Sequence, residues 1–198
     1  PFQRLLDTIA ETYGISSVTG TIPFADLDGD GNKDLLSVTP QPDAGHITYY
    51  RPGDGQGSFG PPVVICTGCY GAVHLSVADL DNDGDLDFTG LGSAGSTGNN
   101  TYLWMENDGS GSFSERSFST VAQEVGYGMA EDLDQDGDLD LVFANGAYVS
   151  WSENQGMGVF LPEVQLTTTS SVLACVVEDM DADGDKDVDV YVVSGGNE

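Results

Sequence analysis

Positive charge is what this chain has least of: its 198 residues include only 5 Lys and Arg. No basic patch can be assembled from so few cations, which excludes nucleic acid as a partner and disfavours anionic lipid. Histidine is almost as scarce, at 2 residues. His46 and His74 fall on different predicted strands and read as packed or surface residues, not as a catalytic base or a metal ligand. No apolar run approaches the ~20 residues of a membrane span. Neither an initiator Met nor a signal peptide is seen, and the chain opens at Pro1 in mid-pattern, so it is expected to be an excerpt of a longer precursor.

Against that scarcity stand 33 acidic residues, for a formal net charge of −28. Such a charge repels itself in any compact state, so a folded form needs counter-charge, which divalent cations supply efficiently. Glycine is abundant at 27 residues, and the apolar share of 39% is modest but adequate for a core in a chain of this length.

Self-comparison organises the rest. Four segments align without gaps: Asp26-Leu-Asp-Gly-Asp-Gly-Asn-Lys-Asp34, Asp79-Leu-Asp-Asn-Asp-Gly-Asp-Leu-Asp87, Asp132-Leu-Asp-Gln-Asp-Gly-Asp-Leu-Asp140 and Asp179-Met-Asp-Ala-Asp-Gly-Asp-Lys-Asp187, at spacings of 53, 53 and 47 residues. A second motif runs in phase with the first: Tyr50-Arg-Pro-Gly-Asp-Gly-Gln-Gly-Ser-Phe59, Trp104-Met-Glu-Asn-Asp-Gly-Ser-Gly-Ser-Phe113 and Trp151-Ser-Glu-Asn-Gln-Gly-Met-Gly-Val-Phe160.

Around these motifs lie short runs rich in β-branched and aromatic residues, bounded by Gly, Asp and Asn. One leads into each Asp loop (72–78, 172–177), one leaves it (35–38, 139–143, 188–193), one carries the aromatic (47–50, 101–104), and one follows the Gly-rich turn (62–65). A helical reading of 4–13 is set aside because Phe2 aligns with Phe59, Phe113 and Phe160. Four strands in about fifty residues make a propeller blade, and strands apolar on both faces suit a sheet sandwiched between two others. The predicted fold is therefore all-β, with β-propeller blades of four antiparallel strands in an incomplete propeller or a fragment of a larger one. The expected divisions are 1–15 as the last strand of a preceding blade, 16–67, 68–121 and 122–168 as three blades, and 169–198 as the first half of a fourth.

The Asp loops read as metal sites. Carboxylates at positions 1, 3 and 5 of a tight loop can converge, Gly at position 6 allows a positive φ, and the carbonyl of position 7 with the carboxylate of position 9 completes an all-oxygen shell. Such a shell favours Ca²⁺ over zinc or copper. An EF-hand is excluded because position 12 is Ser37, Gly90, Phe143 or Val190 instead of an acid.

With both motifs in view, the chain resembles the FG-GAP/VCBS repeat family of integrin-α-like calcium-binding propellers. The resemblance implies four Ca²⁺ sites: Asp26, Asp28, Asp30 and Asp34 with the carbonyl of Asn32; Asp79, Asp81, Asp83 and Asp87 with Asp85; Asp132, Asp134, Asp136 and Asp140 with Asp138; and Asp179, Asp181, Asp183 and Asp187 with Asp185. It also implies that each loop joins the first two strands of a blade. Complete propellers of the family usually have about seven blades, and this chain carries four Asp loops.

Cys66-Thr-Gly-Cys69 lacks the further ligands of a zinc site and the βαβ context of a redox site, so a Cys66–Cys69 disulfide is the preferred reading, with two inert thiols as the alternative. Cys175 reads as a buried thiol. Asn99-Asn-Thr is a glycosylation sequon in a polar loop. Tyr50, Trp104 and Trp151 read as core ribs, with sugar-stacking platforms as the alternative. The expected role is a non-catalytic extracellular or cell-surface scaffold or adhesion module, presenting propeller loops to a protein or glycan. Its open ends are expected to be met by neighbouring blades or subunits, as in a surface fibre. A carbohydrate-binding propeller is the alternative. A polysaccharide lyase is disfavoured by the shortage of Lys, Arg and His.

Overall fold

A computed structural model describes residues 24–41, 45–67, 76–93, 100–117, 125–145, 148–168, 172–178 and 189–194. Among them every element is a β-strand. The first sheet runs in order through β1 (Phe24–Ala25), β2 (Asp34–Gln41), β3 (Gly45–Arg51) and β4 (Val63–Thr67). The second is β5 (Ser76–Ala78), β6 (Asp87–Ser93), β7 (Asn100–Asn107) and β8 (Phe113–Ser117). The third is β9 (Val125–Glu131), β10 (Asp140–Asn145), β11 (Tyr148–Ser152) and β12 (Val164–Thr168), and β13 (Val172–Glu178) pairs with β14 (Asp189–Ser194). All pairings are antiparallel between sequence neighbours, as expected for blades of a propeller. No helix among the described residues is long and apolar enough to cross a membrane.

The core lies between the sheets. Leu27, Leu36, Tyr50 and Ile65 of the first sheet and its loop pack against Phe88 and Met105 of the second. Leu80 and Trp104 of the second pack against Leu141 and Phe143 of the third. This is why strands of the second sheet are apolar on both faces: that sheet buries one face against the first sheet and the other against the third. Trp104 is 5% exposed and Tyr50 3%, so these two are ribs of the core.

The joints between sheets repeat. The Tyr50 ring meets Phe113 of the next sheet edge-on at 6.2 Å, and the Trp104 ring meets Phe160 at 6.0 Å. Gly111 and Gly158 must be glycine for this to happen. A Cβ on Gly111 would overlap the Tyr50 hydroxyl, and one on Gly158 would overlap the Trp104 ring.

Candidate metal centre and the cleft between blades

Each of the first three Asp loops connects the first two strands of its sheet, and its sequence alternates between two duties. The leucine at position 2 turns inward: Leu27 and Leu80 are 0% and 1% exposed. The flanking aspartates turn outward and meet. Oxygens of Asp26, Asp28 and Asp34 lie within 4.8 Å of one another, as do those of Asp79, Asp81 and Asp83, and those of Asp132, Asp134 and Asp136.

Backbone N–H groups of the loop hold these carboxylates in place. Gly31 donates to Asp26 at 2.8 Å, Gly84 to Asp79 at 3.0 Å and Gly137 to Asp132 at 3.1 Å. Asn32, Asp85 and Asp138, at position 7, donate their N–H to Asp30, Asp83 and Asp136 at 2.7, 2.9 and 2.9 Å. The position 6 glycines take the positive φ expected of them, at 85°, 97° and 100°. Position 4 is left-handed as well, at Gly29, Asn82 and Gln135 (φ 72°, 60° and 63°), although its residue type varies.

The position 9 carboxylates do more than the motif suggests. Asp34, Asp87 and Asp140 are fully buried. One oxygen of each accepts the N–H of the position 2 leucine: Leu27 at 2.8 Å, Leu80 at 3.1 Å and Leu133 at 3.0 Å. The other accepts an N–H at the head of the Gly-rich turn: Gly53 at 2.8 Å, Asn107 at 2.9 Å and Asn154 at 2.8 Å. This carboxylate thus ties the loop to the second turn of its own blade. Burial pushes all three above the usual carboxylate range, Asp87 to about 6, against the lowering effect of those hydrogen bonds. Burial also raises Asp81 and Asp134, reinforced by the charges of Asp83 and Asp136.

A cation fits these loops. One oxygen each of Asp26, Asp81 and Asp132 is buried and accepts no hydrogen bond. A buried polar atom left without a partner is unfavourable by about 1–3 kcal/mol, and more when charged. A divalent ion relieves both the missing partners and the mutual repulsion, and a donor set made only of oxygen suits Ca²⁺. The loop at 179–187, with Asp179, Asp181, Asp183, Asp185 and Asp187, lies outside the described residues. So do Cys69 and Asn99; Cys66 is disulfide-bonded.

Two asparagines that sequence reasoning passed over bind the blades together. Asn107 donates both to the Leu27 carbonyl of the preceding blade at 2.9 Å and to Leu86 of its own at 3.1 Å. Asn154 does the same with Leu80 and Leu139, at 2.8 and 3.0 Å. Their signal was present, as Asn three residues after each Trp; the first blade has Gly53 there. Asn82 adds a hydrogen bond from the second Asp loop to Asp138 of the third.

A cleft of about 820 Å³ opens between the second and third blades. Asp81, Glu106, Glu115 and Arg116 line one wall, and Ser152 with the turn at 157–162 lines the other. Arg116 is ion-paired to Glu106 across β7 and β8.

The description of the FG-GAP-like repeat matches residues 12–89 and 132–192. No curated protein matches the chain. Among solved structures, one that is similar is that of an Agrocybe aegerita lectin, determined for its specific recognition of non-reducing terminal N-acetylglucosamine. The TM-score is 0.51 at 23% identity, over 76% of this chain and 39% of the lectin chain. This chain therefore matches well under half of the lectin's length, and at that identity the likeness speaks for the fold alone.

Proposed function

The chain belongs to the FG-GAP-like repeat family, and we propose that it is a non-catalytic, calcium-stabilised propeller module that works outside the cell and presents its blade loops to a binding partner. The observation that carries the calcium reading is the set of buried, donorless oxygens on Asp26, Asp81 and Asp132. Calcium would be held by the aspartates of each loop, and its contribution is charge neutralisation and rigidity of the loops. The disulfide at Cys66 supports an oxidising compartment. The test is thermal unfolding at low ionic strength with calcium and with a chelator. A clear fall in Tm on chelation is expected, because an ion bound only by the folded form stabilises it. An unchanged Tm would sink the calcium reading.

Glycan is the partner chemistry that the cleft between the second and third blades favours. Its walls offer carboxylates, a guanidinium and the Ser152 hydroxyl beside apolar side chains such as Met157, which is 82% exposed. Such a mixture suits hydroxyl groups on an apolar ring face. Trp104, in contrast, is too buried to serve as a stacking platform. A glycan array with N-acetylglucosamine-terminated oligosaccharides among its probes should show binding that Arg116→Ala weakens. Binding that is absent, or indifferent to that change, would leave a protein ligand as the reading.

A further inference from the structure

In the first two Asp loops, position 4 reaches toward the next blade. In the first loop that position is Gly29, packed so closely on the second blade that a Cβ would stand 2.8 Å from the Gly109 carbonyl oxygen. In the second loop it is Asn82, whose side-chain N–H donates to the Asp138 carboxylate of the third loop. Both ends of this bridge sit beside the residues that would hold an ion. Asn82 lies between Asp81 and Asp83, whose oxygens belong to the second cluster. Its backbone is left-handed, at φ 60°. Asp138 is position 7 of the third loop, and its N–H donates at 2.9 Å to Asp136, a carboxylate of the third cluster. The other Asp138 oxygen faces the Gly-rich turn of its own blade, 3.1 Å from where a Cβ on Gly156 would stand.

An ion in the second loop would fix Asp81 and Asp83, and with them the backbone of Asn82. The amide of Asn82 is then held where it meets Asp138, and Asp138 in turn holds Asp136. A hydrogen bond to a carboxylate is roughly twice as strong as a neutral one. A loop ordered in advance binds more tightly, because less ordering remains to be done. Charge acts in the opposite sense: an ion in one loop weakens the negative potential at the next. Salt at about 0.15 M screens that effect beyond about 8 Å.

We propose, resting on the calcium reading, that the second and third Asp loops bind Ca²⁺ cooperatively through the Asn82–Asp138 bridge. The first loop, with Gly29 in the same place, fills independently. The contacts of Asn107 and Asn154 join both pairs of neighbouring blades alike, so they do not set the second pair of loops apart from the first.

The amides of Gly31, Gly84 and Gly137 each donate to the first aspartate of their own loop, so each reports one loop. Proton–nitrogen correlation spectra of the full chain, titrated with calcium at about 0.15 M salt, follow the three separately. Asp81→Ala should empty the second loop and raise the calcium concentration at which Gly137 shifts by roughly fivefold or more, leaving Gly31 where it was. By reciprocity, Asp134→Ala should move Gly84 by the same factor. Asn82→Gly puts the first loop's residue at the left-handed position. It should abolish both effects while the loops still bind, as a double-mutant cycle reads. A Gly137 midpoint that Asp81→Ala leaves unchanged, or lowers as charge alone would, overturns the coupling and leaves the calcium reading intact. Effects that survive Asn82→Gly, or a Gly31 midpoint that rises with that of Gly137, overturn the bridge. If calcium moves none of the three glycines, the calcium reading falls and the proposal falls with it.

Discussion

Asn107 donates its side-chain N–H to the Leu27 carbonyl at 2.9 Å, joining loops of two blades that lie 80 residues apart in the chain. The same side chain is 2% exposed, and its oxygen accepts the N–H groups of Gly109 and Gly111, both at 3.2 Å. It organises its own turn while fastening that turn to the blade before it. Asn154 repeats the arrangement one blade later.

Asn107→Ala would strand two carbonyls and two N–H groups in a buried joint. The expected loss is about 2–4 kcal/mol of unfolding free energy, read from urea titration in calcium. A change below a few tenths of a kcal/mol would show that the joint does not depend on this side chain.

Asp28→Ala should abolish one calcium site and leave the others. All ligands of a loop come from within nine residues, so the damage stays in one blade and its neighbours. Calorimetric titration is expected to lose one site with the remaining affinities unchanged. Loss of every site at once would mean that the ions bind as a coupled set.

The raised Asp87, near 6, sets a pH dependence for the protein freed of calcium. A carboxyl whose folded pKa lies above its unfolded value binds its proton more tightly in the fold. The stability this gives is complete below about pH 4 and is lost as the pH rises through about 6. Asp34 and Asp140 shift in the same direction, for the same reason of burial. Asp54 and Asp108 are lowered by hydrogen bonds from Ser58 and Ser110, so their contribution changes only at more acid pH. The chelated protein should therefore melt higher at about pH 5 than at about pH 7. With calcium bound the trend should reverse, because protons compete with the ion for the same carboxylates. Melts of both forms at the two pH values check the signs.

Gln135 sits at φ 63° in the third loop, where the first two loops have Gly29 and Asn82. A long side chain pays more for a left-handed backbone than asparagine does. Gln135→Asn should raise the stability of the calcium-bound protein by roughly 0.5 kcal/mol, seen as a higher denaturation midpoint. An unchanged or lower midpoint would show that the backbone strain at this position is relieved by other means.

The sequence by itself determined what is local. Each Asp loop carries its carboxylates within nine residues, so their convergence in the first three loops follows from spacing, and position 6 needs glycine wherever the turn is made. The alternation of Asp26, Leu27 and Asp28 already separates a wet side from a dry one, and the second motif, in phase with the first, marks where each sheet turns. What the tertiary structure decided is how one sheet faces the next. That Asp34, Asp87 and Asp140 spend both oxygens on backbone N–H groups could not be read from the motif, because one donor of each pair lies at the end of the third strand or just beyond it. That Asn107 serves Leu27, that Gly111 makes room for Tyr50, and that a cleft opens beside Arg116 depend on groups up to eighty residues apart. The left-handed position 4 escaped as well, since Gly29, Asn82 and Gln135 share no side-chain type, only a backbone angle. Spacing along a chain fixes contacts within a loop; contacts between blades are fixed by the stacking of sheets, where the partner of each residue is set by packing and not by distance in sequence.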